Sequence, residues 1–135
     1  MIPHLSNMVS VKVSCPIYPS EKSDKVKKAI INIFPDAELE ETGRGFKGTA
    51  SLDYFSKLIR KQEILDSTRS MLFKGIRDSR TVIHLNKQVA TVGKVSFTDA
   101  RCILGSIDVI IEDEDLETLI NRIAPETVDG KEVRA

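Results

Sequence analysis

The sequence predicts an α+β fold, in which a mainly antiparallel sheet carries helices packed on one face. Its 135 residues are enough for one domain with a substantial core. Short segments that alternate apolar and polar residues, as half-buried strands do, recur along the chain. Segments with apolar residues at helical spacing interrupt them, which gives the order β-α-β-β-α-β-β-β-α. We expect a flexible leader over residues 1–7 and a single α+β domain over residues 8–135.

The first third of the chain predicts a strand, a helix and a hairpin. Residues 8–17 (MVSVKVSCPI) alternate valine with serine and lysine, which is typical of a strand. A helix follows, with Ser20 or Ser23 available as its N-cap, and Pro35 ends it. The segments AELEE and GFKGTA then predict two strands around a glycine-rich tip. The apolar residues that mark the helix are Val26, Ala29, Ile30, Ile33 and Phe34.

Residues 51–74 are predicted to form one long helix. A second apolar cluster on this helix, Ile64, Met71 and Phe73, lies away from its main stripe. It predicts a second covered surface, which either another helix or a partner subunit would occupy. The main stripe, which we expect to pack on the sheet, consists of Leu52, Phe55, Leu58, Ile59, Leu65 and Leu72.

The remaining elements are three strands and one short helix. The strands are predicted at residues 81–85 (TVIHL), 89–97 (VATVGKVSF) and 105–113 (GSIDVIIED), and the helix at 114–123. An Asp-Gly turn at residues 129–130 closes the chain.

Composition and motifs argue against several classes of protein. No apolar run is long enough to span a membrane and no signal peptide is visible, so we expect a cytoplasmic protein. Cys15 and Cys102 lack a nearby cysteine partner and are predicted to be small buried hydrophobes. His4 and His84 share no helical face or short loop, so no zinc site is expected. We therefore expect neither a metal nor a cofactor, and no enzymatic activity.

The glycine-rich segment at residues 43–49 (GRGFKGT) matches three nucleic-acid or phosphate motifs incompletely. It has the frame of a phosphate loop, but Thr49 stands where that motif needs lysine. The G-x-x-G of a KH domain lies between helices, whereas strands are predicted here, and the aromatic residues of an RRM strand are missing. A hairpin tip is the simplest interpretation, with Arg44 and Lys47 as candidates for contact with a phosphate backbone.

The formal net charge is zero, but the charges are unevenly distributed along the chain. Residues 57–101 carry ten basic and four acidic side chains, while residues 102–135 carry three basic and nine acidic ones. A neutral protein with this asymmetry can present one positive face. Alternatively, the two regions fold against each other and neutralise locally.

Polar residues interrupt the apolar stripe of the long helix and the strands that follow. Gln62 and Arg69 fall within the stripe and Asp66 at its edge, either as a structural network or as a surface that meets a ligand. Asn86, Lys87 and Gln88 are predicted at an exposed strand end or bulge, with the two amides on one face and Lys87 on the other. Amides do not titrate usefully, so this group of residues indicates recognition rather than catalysis.

Four segments carry a resemblance to a known family: SCPIYPSEKSDKVKKAIINIFPDAELE, LIRKQEILDSTRSML, HLNKQVATVGKVSF and LGSIDVIIED. The sequence resembles an uncharacterised archaeal family described as RNA-binding, some of whose members are described as predicted exosome-associated subunits. The resemblance implies a fold similar to the ribosomal protein of the large-subunit five-type. The matching helix and strand segments include Arg60, Gln62, Leu65, Asp66, Arg69 and residues 85–90.

The prediction for function is RNA binding through a basic face. With 5% aromatic residues and no tryptophan, a platform that stacks single-stranded bases is not expected, and structured or double-stranded RNA fits better. The alternative is a protein-interaction or homodimerisation module that uses Ile64, Met71 and Phe73. The candidate RNA-binding residues are Arg60, Lys61, Gln62, Arg69, Asn86, Lys87, Gln88 and Lys94.

Overall fold

The computed structural model describes residues 9–98, 105–128 and 131–132 and confirms the α+β fold. Within these residues, six strands form one antiparallel sheet and two more form a small hairpin. The strands are β1 Ser10–Pro16, β2 Glu38–Glu41, β3 Gly45–Thr49, β4 Ile76–Arg77, β5 Arg80–Asn86, β6 Ser106–Glu112, β7 Thr127–Val128 and β8 Lys131–Glu132. The helices are α1 Ser23–Ile33, α2 Asp53–Lys61, α3 Leu65–Lys74, α4 Lys87–Ala90 and α5 Leu116–Ile123.

The main sheet has the strand order β2-β3-β1-β6-β5-β4. The long strands β1 and β6 lie at its centre, with Val13 opposite Val109. Along β1 the residues alternate between buried and exposed, so that Val13 is buried while Lys12 and Ser14 are exposed. This alternation explains why the helices cover one face of the sheet and leave the other face open.

The core lies between the sheet and the helices. The predicted apolar stripes of α1 and of the following helical region are buried, and the rings of Phe34 and Phe55 stack at 5.8 Å between centroids. Cys15 is also buried in this core, as predicted, and burial raises the pKa of its thiol to about 12. A thiol with so high a pKa is protonated at neutral pH and is a poor nucleophile.

The predicted single helix over residues 51–74 is wrong, because it is broken into α2 and α3. After Lys61 the backbone of Glu63 turns into the left-handed region, with φ of 60°. The N–H of Glu63 donates to the carbonyl of Arg60 (3.1 Å), and the N–H of Ile64 donates to that of Ile59 (3.0 Å). These two bonds form a Schellman motif, which ends a helix and usually has glycine at the left-handed position.

The break also accounts for part of the second apolar cluster. Ile64 follows the left-handed residue, where a Schellman motif usually places a hydrophobic side chain against the end of the helix. Ile64, Met71 and Phe73 are half-buried and pack against the core of their own chain. A partner subunit at this surface stays a prediction.

The predicted strand over residues 89–97 is also wrong. The segment begins inside the short helix α4 and continues as turns, and a single isolated bridge joins Leu85 to Phe97. The side chain of Asn86 accepts a hydrogen bond from the N–H of Val89 (2.9 Å) and so caps the start of α4. Asn86 is therefore the half-buried last residue of β5 and the N-cap of α4, and Lys87 and Gln88 belong to that helix.

The C-terminal elements match the prediction more closely. The helix α5 falls within the predicted range, and Asp115 caps it by accepting a hydrogen bond from the N–H of Thr118 (3.2 Å). Hydrogen bonds from Thr118 hold the pKa of the Asp115 carboxyl below its usual value. The leader at 1–7, His4, Cys102 and the turn at 129–130 lie outside the described residues. Within the described part of the chain, no helix has the length and apolar character needed to cross a membrane.

Candidate functional site

A groove of about 480 Å³ lies between the start of α1 and the short helix α4. We call it the α1–α4 groove. Three lysines of the α1 region line it, Lys22, Lys25 and Lys28, and all three are exposed. Gln88 and Thr91 line the opposite wall. The groove therefore presents ammonium groups along one side and polar side chains along the other.

The positions of these lysines follow from how α1 packs. Residues such as Val26 and Ile30 are buried against the core, which leaves the flank with Lys25 and Lys28 facing outward. Asn32, one turn beyond Lys28, donates from its side-chain amide to the carbonyls of Ala90 (3.0 Å) and Thr91 (3.1 Å). The two walls of the groove are thus tied together by side-chain hydrogen bonds.

Lys87 lies at the floor of the groove and is buried, with 5% of its surface exposed. Its Nζ donates to the carbonyl of Pro16 (2.7 Å) and to both carboxylate oxygens of Glu21 (3.0 and 3.2 Å). It also lies 5.4 Å from the centre of the Tyr18 ring. The predicted exposed position of Lys87 is therefore wrong. Its ammonium group is bonded within the protein, and the carboxylate of Glu21 balances its charge.

Two arginines predicted as RNA contacts, Arg60 and Arg69, bind the C-terminal end of α5. Arg60 donates to the carbonyls of Arg122 and Ile123, both at 3.3 Å, and Arg69 donates to that of Ala124 (3.2 Å). The last carbonyls of a helix lack partners within the helix and carry partial negative charge, which cationic side chains stabilise. These arginines hold α5 against α2 and α3.

The same arginines also pair with acidic residues near the C-terminus. Arg60 lies 3.0 Å from the carboxylate of Glu132, and Arg69 lies 3.5 Å from that of Glu126. The guanidinium of Arg69 also lies 4.9 Å from the centre of the Phe73 ring. The basic and acidic regions of the sequence thus neutralise each other locally at these positions.

The members of the predicted group Gln62, Asp66 and Arg69 each bond to a different segment of the chain. The side-chain amide of Gln62 accepts from the N–H of Val95 (2.7 Å) and donates to its carbonyl (3.0 Å), much as a neighbouring strand would. Asp66 accepts a hydrogen bond from the hydroxyl of Thr127 (2.6 Å). Together with the bonds of Arg69 to α5, these contacts fix the loop after α4 and the C-terminal segment on the two helices.

The remaining predicted site residues are exposed. Lys61 and Lys94 are the chain neighbours of the bonded pair Gln62 and Val95, so the structure brings the two lysines into one region beyond α4. Arg44 lies at the tip between β2 and β3. Lys47 lies on the open face of the sheet, opposite Glu40 of β2. Lys47 is therefore on the face of the sheet away from the helices, whereas the tip is joined to the end of β1, where the N–H of Ile17 donates to the carbonyl of Arg44 (2.9 Å).

Sequence reasoning missed Lys22, Lys25 and Lys28. Residues 1–56 carry seven basic and seven acidic side chains, so the net charge of this region does not indicate a basic surface. The available signal was the spacing of the lysines, three residues apart, which places Lys25 and Lys28 on one flank of a helix.

The side chains of His84, Asp108 and Ser106 form a further polar cluster on β5 and β6. His84 Nδ1 lies 2.7 Å from a carboxylate oxygen of Asp108, which also accepts a hydrogen bond from Ser106. The carboxylate thus joins the two side chains, whereas activation of a serine would need the imidazole between them. Within residues 9–98, 105–128 and 131–132, no group of three or more His, Cys, Asp or Glu side chains could hold a metal ion.

Comparison with known proteins gives a consistent family. A family model described as RNA binding matches residues 10–113. The UPF0200/UPF0201 protein of Archaeoglobus fulgidus is 42% identical over 134 residues, which cover 96% of this chain and 42% of that protein. The chain thus spans less than half the length of this relative. The UPF0201 protein of Thermococcus kodakarensis is 38% identical over 128 residues, covering 89% of this chain and 92% of that protein.

A solved structure supports the same relationship. The crystal structure of the UPF0201 protein from Methanococcus jannaschii superposes with a TM-score of 0.81 at 36% identity. The match covers 93% of this chain and 99% of the solved one. The fold described above is therefore that of these relatives.

Proposed function

This chain belongs to the archaeal UPF0201 family, and we propose that it binds structured RNA through the α1–α4 groove, without catalysis of its own. The match of residues 10–113 to a model described as RNA binding supports this proposal. The observation that carries it is the row of exposed lysines along one wall of the groove, Lys22, Lys25 and Lys28.

The charge of the groove favours a polyanion. The buried Lys87 is balanced by Glu21, so the field in the groove comes mainly from the three exposed lysines. Clustered ammonium groups bind phosphates by neutralising their charge and releasing condensed counterions. The open face of the sheet is less suitable, because Glu38 and Glu40 lie beside Lys47 there.

In our proposal the RNA-binding surface continues from the α1–α4 groove to the region beyond α4. Lys61 and Lys94 contact further phosphates in our proposal, and Gln88 supplies a hydrogen-bonding group inside the groove. Five predicted site residues support this surface from within and make no phosphate contacts in our proposal. They are Arg60, Gln62, Arg69, Asn86 and Lys87. Lysine contacts with phosphates fix the position of an RNA without reading its sequence, so the proposed target is defined by shape.

The test is RNA affinity measured at several salt concentrations, by fluorescence anisotropy with a labelled RNA hairpin. The slope of log affinity against log salt falls by about one unit for each phosphate contact removed. We expect Lys25→Ala to make this slope shallower by about one unit. Lys12→Ala is the matched control, because it removes the same charge from the open face of the sheet.

Two results would contradict the proposal. The first is that the unmodified protein shows no salt-sensitive affinity for any structured RNA. The second is that Lys12→Ala changes the slope as much as Lys25→Ala does, which would show that binding depends on overall charge and not on the groove.

A further inference from the structure

We propose that Tyr18 is a base-stacking platform beside the α1–α4 groove, so that the bound RNA carries an unpaired nucleotide next to the phosphates held by α1. This inference rests on the proposed function and names the kind of RNA that the groove takes. It also revises the expectation that this protein stacks no bases. That expectation came from a low aromatic content, which does not reveal where a single exposed ring lies.

Tyr18 is exposed and lies next to the groove. It keeps 38% of its surface open to solvent, which makes it one of four exposed large hydrophobic residues in the described part of the chain. Lys87, at the groove floor, has its Nζ 5.4 Å from the centre of the Tyr18 ring. A large aromatic side chain thus stays in contact with water at the point where the lysine-lined wall begins.

The backbone that carries this ring is held by a tight turn. The N–H of Tyr18 donates to a carboxylate oxygen of Glu21 (2.9 Å), and the N–H of Glu21 donates to the carbonyl of Tyr18 (2.8 Å). The same carboxylate oxygen accepts from Lys87 at 3.0 Å. The carboxylate of Glu21 therefore links the backbone of Tyr18 to Lys87 at the groove floor.

The ring itself has a close neighbour on one side. A Cβ added to Gly105 would lie 3.4 Å from Cε2 of Tyr18 and 2.5 Å from Cγ of Pro16. Gly105 therefore allows Pro16 to approach its backbone closely, and the Tyr18 ring lies beside it at an ordinary contact distance. An aromatic ring that is already positioned loses little freedom when it binds, which favours its use as an anchor.

An aromatic ring beside ammonium groups can bind both the base and the phosphate of one nucleotide. Lysines bind the phosphate, and an aromatic face stacks on the base with a contribution that depends little on which base it is. In a fully paired helix the bases stack on one another, so only an unpaired base is free to lie against Tyr18.

The test compares two RNA hairpins of equal length and charge, one fully paired in its stem and one with a single bulged 2-aminopurine. Tyr18→Leu should weaken binding of the bulged RNA by about tenfold and leave the paired RNA nearly unchanged. Binding to the unmodified protein should quench the 2-aminopurine fluorescence, and Tyr18→Phe should preserve both the quenching and the affinity. The salt dependence should not change, because no charge is removed.

Tyr54→Leu is the matched control, because Tyr54 is a second exposed tyrosine (44%) and lies on α2. The inference is wrong if Tyr18→Leu binds both RNAs as the unmodified protein does, and the proposed function would then still stand. It is also wrong if Tyr54→Leu causes the same selective loss. If the unmodified protein binds neither RNA but binds an acidic peptide, the proposed function fails as well.

Discussion

Lys87 shows how a single residue can be misread from sequence. Its neighbours Asn86 and Gln88 are polar, so the segment was predicted to be exposed. In the structure its ammonium group is buried but has a carbonyl and a carboxylate as partners, Pro16 and Glu21. Those partners lie about seventy residues earlier in the chain, 71 and 66 positions away. No local pattern could reveal them.

We predict that Lys87→Met destabilises the protein by about 3 kcal/mol, because it leaves the partly buried carboxylate of Glu21 without its cation. Urea denaturation measures this change. Lys94→Met is the matched control and should cost less than about 0.5 kcal/mol, since Lys94 is exposed. The double variant Glu21→Gln with Lys87→Met should recover part of the loss. A loss below about 1 kcal/mol for Lys87→Met would show that the ion pair contributes little.

At the scale of elements, the sequence predicted apolar faces well and boundaries less well. The stripes of α1, α2 and α3 are buried as predicted, because burial of apolar side chains dominates the periodic signal. The break between α2 and α3 was missed because Glu63 occupies a left-handed position that usually calls for glycine. Residues 89–97 were predicted as a strand because several of them are β-branched. They form the end of α4 and a loop, because Asn86 caps that helix and Gln62 bonds to the backbone of Val95.

We predict that Glu63→Gly stabilises the protein by about 0.5–1 kcal/mol. Glycine removes the cost of a Cβ in the left-handed conformation, about 1–2 kcal/mol, and the greater freedom of the unfolded chain offsets part of that gain. Urea denaturation with Glu63→Ala as the control isolates the effect, because alanine removes the same side chain and keeps the Cβ. Equal stability of the two variants would show that Glu63 is not strained.

At the scale of the whole molecule, the uneven charge along the chain did not lead to the basic surface. In the basic middle region, Arg60 and Arg69 bond to the end of α5 and to the acidic C-terminal segment. The exposed lysines of the proposed surface come instead from α1, in a region whose charges balance. Family membership and the α+β fold were predictable from sequence. Similarity to the large-subunit five-type ribosomal protein and an association with the exosome stay predictions.

The most direct test of the central claim is a map of amide chemical-shift changes in the isotope-labelled protein on addition of an RNA hairpin. We predict that the largest changes fall on residues 20–28 and 87–91, which include the residues that line the α1–α4 groove, and on Tyr18 beside it. Smaller changes should follow at Lys61. Changes concentrated on the open face of the sheet, around Lys12 and Lys47, would contradict the account.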